Sequence, residues 1–147
     1  MKIFITALIF ILVSIPAIAG GVGYINYDKI ISEYQYAKNT ITEIDNKAAE
    51  IEDYLTKKEE EYNNTESAVQ KKKIEDTVKN EMVVKEKAFN IFREKKEEDI
   101  YNRIHAVSEK IRMEKGLDAV LDARSIFSGG IDITDDMIKK LNSTNIK

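Results

Sequence analysis

Residues 115–142 read KGLDAVLDARSIFSGGIDITDDMIKKLN. Gly116 follows a long charged run, and a glycine just past the last helical residue takes the left-handed conformation that ends a helix at least cost. Arg112 and Lys115 before it suit the negative end of the helix dipole. Residues 117–123 then predict a strand, Gly129 and Gly130 a loop, and Thr134 a cap for a terminal helix with Asp135 and Asp136 in its first turn. Met137, Ile138 and Leu141 are the apolar face by which that helix docks. This end is therefore a small body, and the charged helix before it is an arm. The fold class is α+β, mostly α.

Upstream, no glycine or proline interrupts the chain between Asp28 and Gly116, and Lys, Glu, Ala, Ile and Asn dominate it, the composition of long helices. Ile30, Tyr34, Ala37, Ile41, Ile44, Ala48, Ile51, Leu55 and Tyr62 alternate by four and three, broken at Lys58, as in a coiled-coil seam. The later half carries Val84, Ala88 and Ile91, then Ile100, Ile104, Val107 and Ile111 after a gap at Lys95 and Glu98. A single helix of about 85 residues would need a partner along about 130 Å. Folding back supplies one, so the two stripes predict an antiparallel helical hairpin over residues 33–112. Tyr62-Asn63-Asn64-Thr65 is the best local breaker, whereas equal arms put the turn near residue 72, beside Lys71, Lys72 and Lys73, the one basic cluster near the tip. The tip is bracketed at residues 62–74. Residues 56–82 are the least apolar part of the arm, so the distal third should be loosely packed.

At the other end, residues 1–19 carry Lys2, an apolar run from Ile3 to Val13 interrupted at Thr6, then Pro16 and Ala17-Ile18-Ala19. That is a signal peptide with an A-x-A cleavage site, too short for the about 20 apolar residues of a membrane span. A lipoprotein route needs a cysteine, and the chain has none. Cleavage leaves a chain starting at Gly20. Val22, Tyr24 and Ile25 then form a short strand, and Asp28 can cap the helix that follows.

The body comprises residues 20–32 and 113–147, about 48 in all, a size at which domains usually need disulfides, metal or oligomerisation. Without cysteine, oligomerisation through the strands is the physical answer. Charge adds a second constraint: 23 basic and 26 acidic residues give a net charge of −3. An acidic balance argues against nucleic acid as a partner.

Catalysis lacks its usual parts. The single histidine, His105, has Glu109 one helical turn on and no second ligand for zinc. The SGGIDITDD loop lacks the alternating acids and closing glutamate of a calcium loop. Neither Gly20-Gly21 nor Gly129-Gly130 precedes the lysine-serine pair of a phosphate loop. These absences point away from an enzyme and from any cofactor or metal. Of the arm tyrosines, Tyr34 and Tyr62 fill the seam, and Tyr36 and Tyr54 are the candidates to face outward as a binding stripe, since aromatic groups contact unfolded chains with little entropic loss.

The pattern of signal peptide, GYINYDKI strand, SEYQYAK arm, charged tip, IRMEKG return, LDAVLDA strand and DITDDMIKKLN helix resembles the Skp/OmpH family of periplasmic chaperones. The most specific pieces are the strand ending Asp122-Ala123 and the Asp132-Ile133-Thr134 turn. The resemblance implies a jellyfish-shaped homotrimer, with strands of three chains in one β body and helical hairpins around a cavity. It further implies an ATP-independent holdase that binds unfolded outer-membrane β-barrel proteins in the periplasm and prevents their aggregation. Carried over, Val22, Tyr24, Ile25, Val120 and Leu121 build the trimer body, with Ile133, Met137 and Leu141 packing the last helix on it. One departure matters: well-known members are strongly basic, which suits lipopolysaccharide, whereas this chain is acidic, which speaks against lipopolysaccharide or a membrane surface as a partner. The alternative is an exported structural coiled-coil protein of the envelope without client binding, though a spacer needs neither interrupted heptads nor a β body.

Overall fold

The computed structural model describes residues 20–143; the expected signal peptide lies outside them. The chain enters through strand β1 (Val22–Ile25). Helix α1 (Tyr27–Glu33) follows, capped by Asn26, whose side chain accepts from the Lys29 N–H at 3.0 Å. Asp28, expected as the cap, lies inside the first turn, where its charge suits the helix dipole.

Helix α2 (Gln35–Asn63) then runs outward and α3 (Ala68–Lys115) returns. At 1.5 Å per residue they span about 43 Å and about 72 Å. The turn occupies residues 64–67. The Asn64 N–H reaches the Glu60 carbonyl at 3.0 Å, and Ser67 caps α3 by accepting from the Gln70 N–H. The Tyr62–Thr65 breaker thus sets the tip, and the arms are unequal because α3 continues into the body.

Helix α3 ends as its glycine dictates. Gly116 sits at φ 64°, with Leu117 N–H on the Arg112 carbonyl at 2.9 Å and Gly116 N–H on that of Met113 at 3.2 Å, the paired bonds that satisfy a helix C-terminus. Strand β2 (Ala119–Asp122), a 3₁₀ turn over Ala123–Ser125, strand β3 (Ile131–Asp132) and helix α4 (Thr134–Ser143) complete the chain. β2 is shorter than the expected 117–123 because Leu117 is drawn into the core.

The sheet is parallel, ordered β2-β1-β3, with Val22 opposite Ala119, Tyr24 opposite Leu121 and Gly23 opposite Ile131. One face, carrying Ile25 and Val120, packs on Leu117, Ile133 and the helices. A methyl on Gly23 would meet Leu117 Cδ1 at 2.7 Å, so this residue lets the strand lie flat on the core. Alternation places Val22, Tyr24 and Leu121 on the opposite face, where Val22 and Leu121 are 37% and 41% exposed.

The core joins Ile30, Tyr34 and Ala37 to Ile104, Val107 and Ile111 of α3 and to Met137 and Leu141 of α4. The body therefore reaches past residues 32 and 113 into the base of the arm. Helix α4 is also ringed by ion pairs: Lys29 to Asp135 at 2.8 Å, Lys115 to Asp136 at 2.7 Å, and Lys140 to Glu114. Thr134 does not cap α4. The Ile133 carbonyl accepts the first helical N–H, from Met137 at 2.9 Å. The Thr134 hydroxyl instead accepts from the Asn26 N–H at 2.9 Å and donates to Asp132 Oδ1 at 2.6 Å.

Candidate functional site

The arm begins at a helix break that no local residue announces. Tyr34 is extended, at φ −76° and ψ 112°, between α1 and α2. Asn142 of α4 fills the gap, its Oδ1 accepting from Gln35 N–H at 2.9 Å and its Nδ2 donating to the Glu33 carbonyl at 3.1 Å. A side chain 107 residues away thus replaces bonds that a continuous helix would have made itself.

Just beyond, a polar clasp ties α2 to α3. The Tyr36 hydroxyl donates to Asp99 Oδ2, Arg103 Nε donates to the same oxygen at 2.9 Å, and the Arg103 guanidinium lies 4.1 Å from the Tyr36 ring centroid. The Tyr36 hydrogen bond, with Arg103 behind it, holds the Asp99 carboxyl below its ordinary range against the effect of burial. One turn outward Lys96 pairs with Glu43 at 2.5 Å. Tyr36 is thus half-buried in the clasp, where its hydroxyl finds a carboxylate.

Past the clasp the hairpin thins. From Ile41 to Asp99 no side chain is fully buried. Ala37, Ile44, Ile51 and Tyr62 face α3 or its groove to some degree, but the second position of each heptad differs from expectation. Thr40 (1% exposed) and half-buried Tyr54 occupy it, while Ile41, Ala48 and Leu55 turn outward. On the middle of α3, Lys85, Phe89, Phe92 and Lys96 are half-buried, whereas Val84, Ala88 and Ile91 are exposed. Lys85 Nζ covers the Tyr54 ring at 4.4 Å. Large rings covered by aliphatic lysine stems fill this thin seam where a two-helix pair cannot enclose branched side chains. Burial, and next the Glu81 carboxylate, push the Tyr54 hydroxyl up; the oxygen is shielded from solvent and has no partner in hydrogen-bonding geometry. Tyr54, like Tyr36, faces the other helix.

Two apolar stripes consequently remain outside. Val83, Val84 and Ile91 are 64%, 68% and 57% exposed, and Ile41 and Leu55 are 38% and 39% exposed. Beside them run two grooves. One of about 430 Å³ is bounded by Leu55, Tyr62, Ile74 and Val78, with Lys58, Glu59, Glu75 and Lys79 at its rim. The other, about 360 Å³, lies among Ile51, Val84, Ala88, Phe89 and Phe92 with Lys47, Glu50 and Lys85. At the tip Lys71 covers the Tyr62 ring at 4.7 Å and Lys72 pairs with Glu75 and Asp76. That leaves little of the Lys71–Lys73 cluster as a free cationic patch. His105 stacks on Tyr101 with ring centroids 6.1 Å apart, and Glu109, one turn on, is taken by Arg112 at 3.0 Å.

A thin charged hairpin with apolar flanks, rooted in a small open parallel sheet, matches known proteins on both sequence and shape. Residues 21–141 match the family model described as outer membrane protein (OmpH-like). The chain belongs to the OmpH-like family. Among solved structures, an OmpH-like protein of Caulobacter crescentus, described as a candidate outer membrane chaperone, superposes with a TM-score of 0.60. It covers 84% of each chain at 12% identity, a likeness of fold. No curated protein matches the sequence.

Sequence reasoning missed the Asn142 bridge, the Asp99–Arg103 clasp and buried Thr40. Only Asp99 and Arg103 carried a local signal, opposite charges spaced one helical turn apart.

Proposed function

We propose that the chain is an ATP-independent holdase, exported to the periplasm by a cleaved signal peptide, that keeps unfolded outer-membrane β-barrel proteins from aggregating. The observation that carries this reading is the pair of exposed apolar stripes on the hairpin, set among charges and beside shallow grooves. Each shallow contact with an extended apolar segment is weak, so a client can leave. Several contacts confined together retain it, because every further contact forms at high effective concentration. Charged flanks keep the loaded complex in solution, and an arm without a sealed core past Ala37 and Thr40 can adapt to clients of different size.

The working unit in this proposal is a homotrimer. The open sheet face at Val22, Tyr24 and Leu121 supports self-association, since an uncovered apolar face on so small a body favours a partner. The number three rests on the family resemblance. Tyr36 and Tyr54 then hold the hairpin together, and Val83, Val84, Ile91, Ile41 and Leu55 replace them as client contacts.

The test is native mass spectrometry of residues 20–147 after rapid dilution of a urea-unfolded outer-membrane barrel into the chaperone, with a folded soluble protein as control. Three chains plus one barrel, absent with the control, is the expected result. An oligomer that never captures the barrel while the barrel aggregates refutes the holdase and favours a structural coiled-coil protein.

A further inference from the structure

Asp118 carries an unused negative charge. It precedes β2, its backbone N–H holds the Gly21 carbonyl at 3.0 Å, and its carboxylate has no ion-pair partner among the described residues. The neighbouring cations are committed elsewhere: Arg112 to Glu109 and the Leu117 carbonyl, Lys115 to Asp136. Asp132, on the far edge strand β3, accepts from Thr134.

The carboxylate rests on Gly20. A Cβ built on that glycine would stand 2.5 Å from Asp118 Oδ2, with Oδ1 nearer still. A backbone nitrogen is about 2.5 Å from its own Cβ site, so the carboxylate is within about 5 Å of the Gly20 nitrogen. Gly20 is also the residue that the A-x-A site at Ala17-Ile18-Ala19 makes the first of the exported chain.

We infer that cleavage after Ala19 creates an ion pair between the new Gly20 α-ammonium group and the Asp118 carboxylate, fastening the start of β1 to β2. The inference rests on the export reading given above. Cleavage is a hydrolysis: water's oxygen completes the Ala19 carboxylate on the departing leader, and the freed Gly20 amine binds a proton at neutral pH. Before cleavage the same nitrogen is a neutral amide, and Asp118 has nothing to pair with. Processing thus adds a positive charge beside a carboxylate already in place, and glycine at position 20 leaves room for the approach.

Because an opposite charge within about 4–6 Å favours the ionised form, the α-amino group should titrate above its usual range of about 7.7–8.0. The experiment exports the full chain in a bacterial host, reads the intact mass, and follows the α-amino group by NMR after ¹³C reductive methylation. The variant Asp118→Asn keeps the backbone bond to Gly21 and the side-chain size. The expected result is a mass starting at Gly20 and an α-amino pKa higher by about half a unit to one unit in the parent than in Asp118→Asn. Equal values in the two proteins, or a mature chain beginning at another residue, overturn it. A second sample, released from a cytosolic fusion by a protease that leaves Gly20 first, separates the causes. A shift there, when the exported chain does not begin at Gly20, sinks the export reading alone, and no shift there sinks the ion pair itself.

Discussion

Replacing Thr134 by Val tests how the two ends of the chain are joined. Thr134 is 3% exposed, and its hydroxyl is the acceptor for the Asn26 N–H at the β1–α1 junction. Valine keeps the shape and strands that donor, a loss of about 1–3 kcal/mol for a buried group and toward the lower half here, where the junction is only partly buried. The second lost bond, to Asp132, adds little because that carboxylate is exposed and water can replace the hydroxyl. The extra methyl returns up to about 0.8 kcal/mol. A net loss of about 1 kcal/mol follows, or roughly 3–5 °C in Tm for a domain of this length. Differential scanning calorimetry at one fixed protomer concentration reads it, since the proposed self-association would make Tm concentration-dependent.

Acid adds a second signature. The Thr134 side-chain hydrogen bond, first, and its backbone N–H hold the Asp132 carboxyl below its ordinary range. A depressed folded pKa contributes stability above the unfolded value of about 3.9, and that contribution is lost as pH falls through the folded value. The Asp132 share of the variant's deficit, the small one, should therefore be present at pH 7 and lost below about pH 4, while the share from the stranded Asn26 N–H persists in acid. Thr134→Ser, which keeps the hydroxyl, should fall between parent and valine. A Thr134→Val protein as stable as the parent at pH 7, or less stable than Thr134→Ser only in acid, refutes the reasoning.

Gly116→Ala meets no atom within 4 Å but must hold φ 64°, so denaturant unfolding should show a pure backbone cost of about 1 kcal/mol. Tyr36→Phe removes one of the two donors on Asp99 and should lower stability by about 1 kcal/mol, with the difference from the parent shrinking in acid as Asp99 protonates. An unchanged acid limb would show the clasp to be inert. Val84→Glu with Ile91→Glu, both at exposed positions, should leave Tm within about 2 °C while cutting retention of an unfolded barrel severalfold in a light-scattering assay. Full retention would move the client surface elsewhere.

How far each feature could be read beforehand tracks the range of the interaction that makes it. Gly116 and the breaker at residues 62–65 act within one turn, so the helix stop and the tip were legible. The heptads were half legible. Ala37, Ile44 and Ile51 recur every seven residues under either reading, but the second seam position can fall three or four residues on. Only the facing helix chooses Thr40 and Tyr54 over Ile41 and Leu55, by offering Lys85 as a lid over the ring. The Tyr34 break was illegible because its cause, Asn142, lies at the far end of the chain. The capping at Asn26 and Thr134 was misassigned for a related reason: Thr134 spends its hydroxyl on the first strand's exit and not on its own helix.

The sheet's strand order also bears on how such a chain can be made. β1 is the central strand, yet Val22 pairs with Ala119, 97 residues later. In a chain threaded across a membrane from its N-terminus, the middle of the sheet arrives first and waits for both edges. The hairpin closes locally and can form on the way, on the microsecond scale of helix formation and short loop closure, while the body must gather segments of high sequence separation, the slow step in folding. The hairpin should exist before the sheet in which it is rooted.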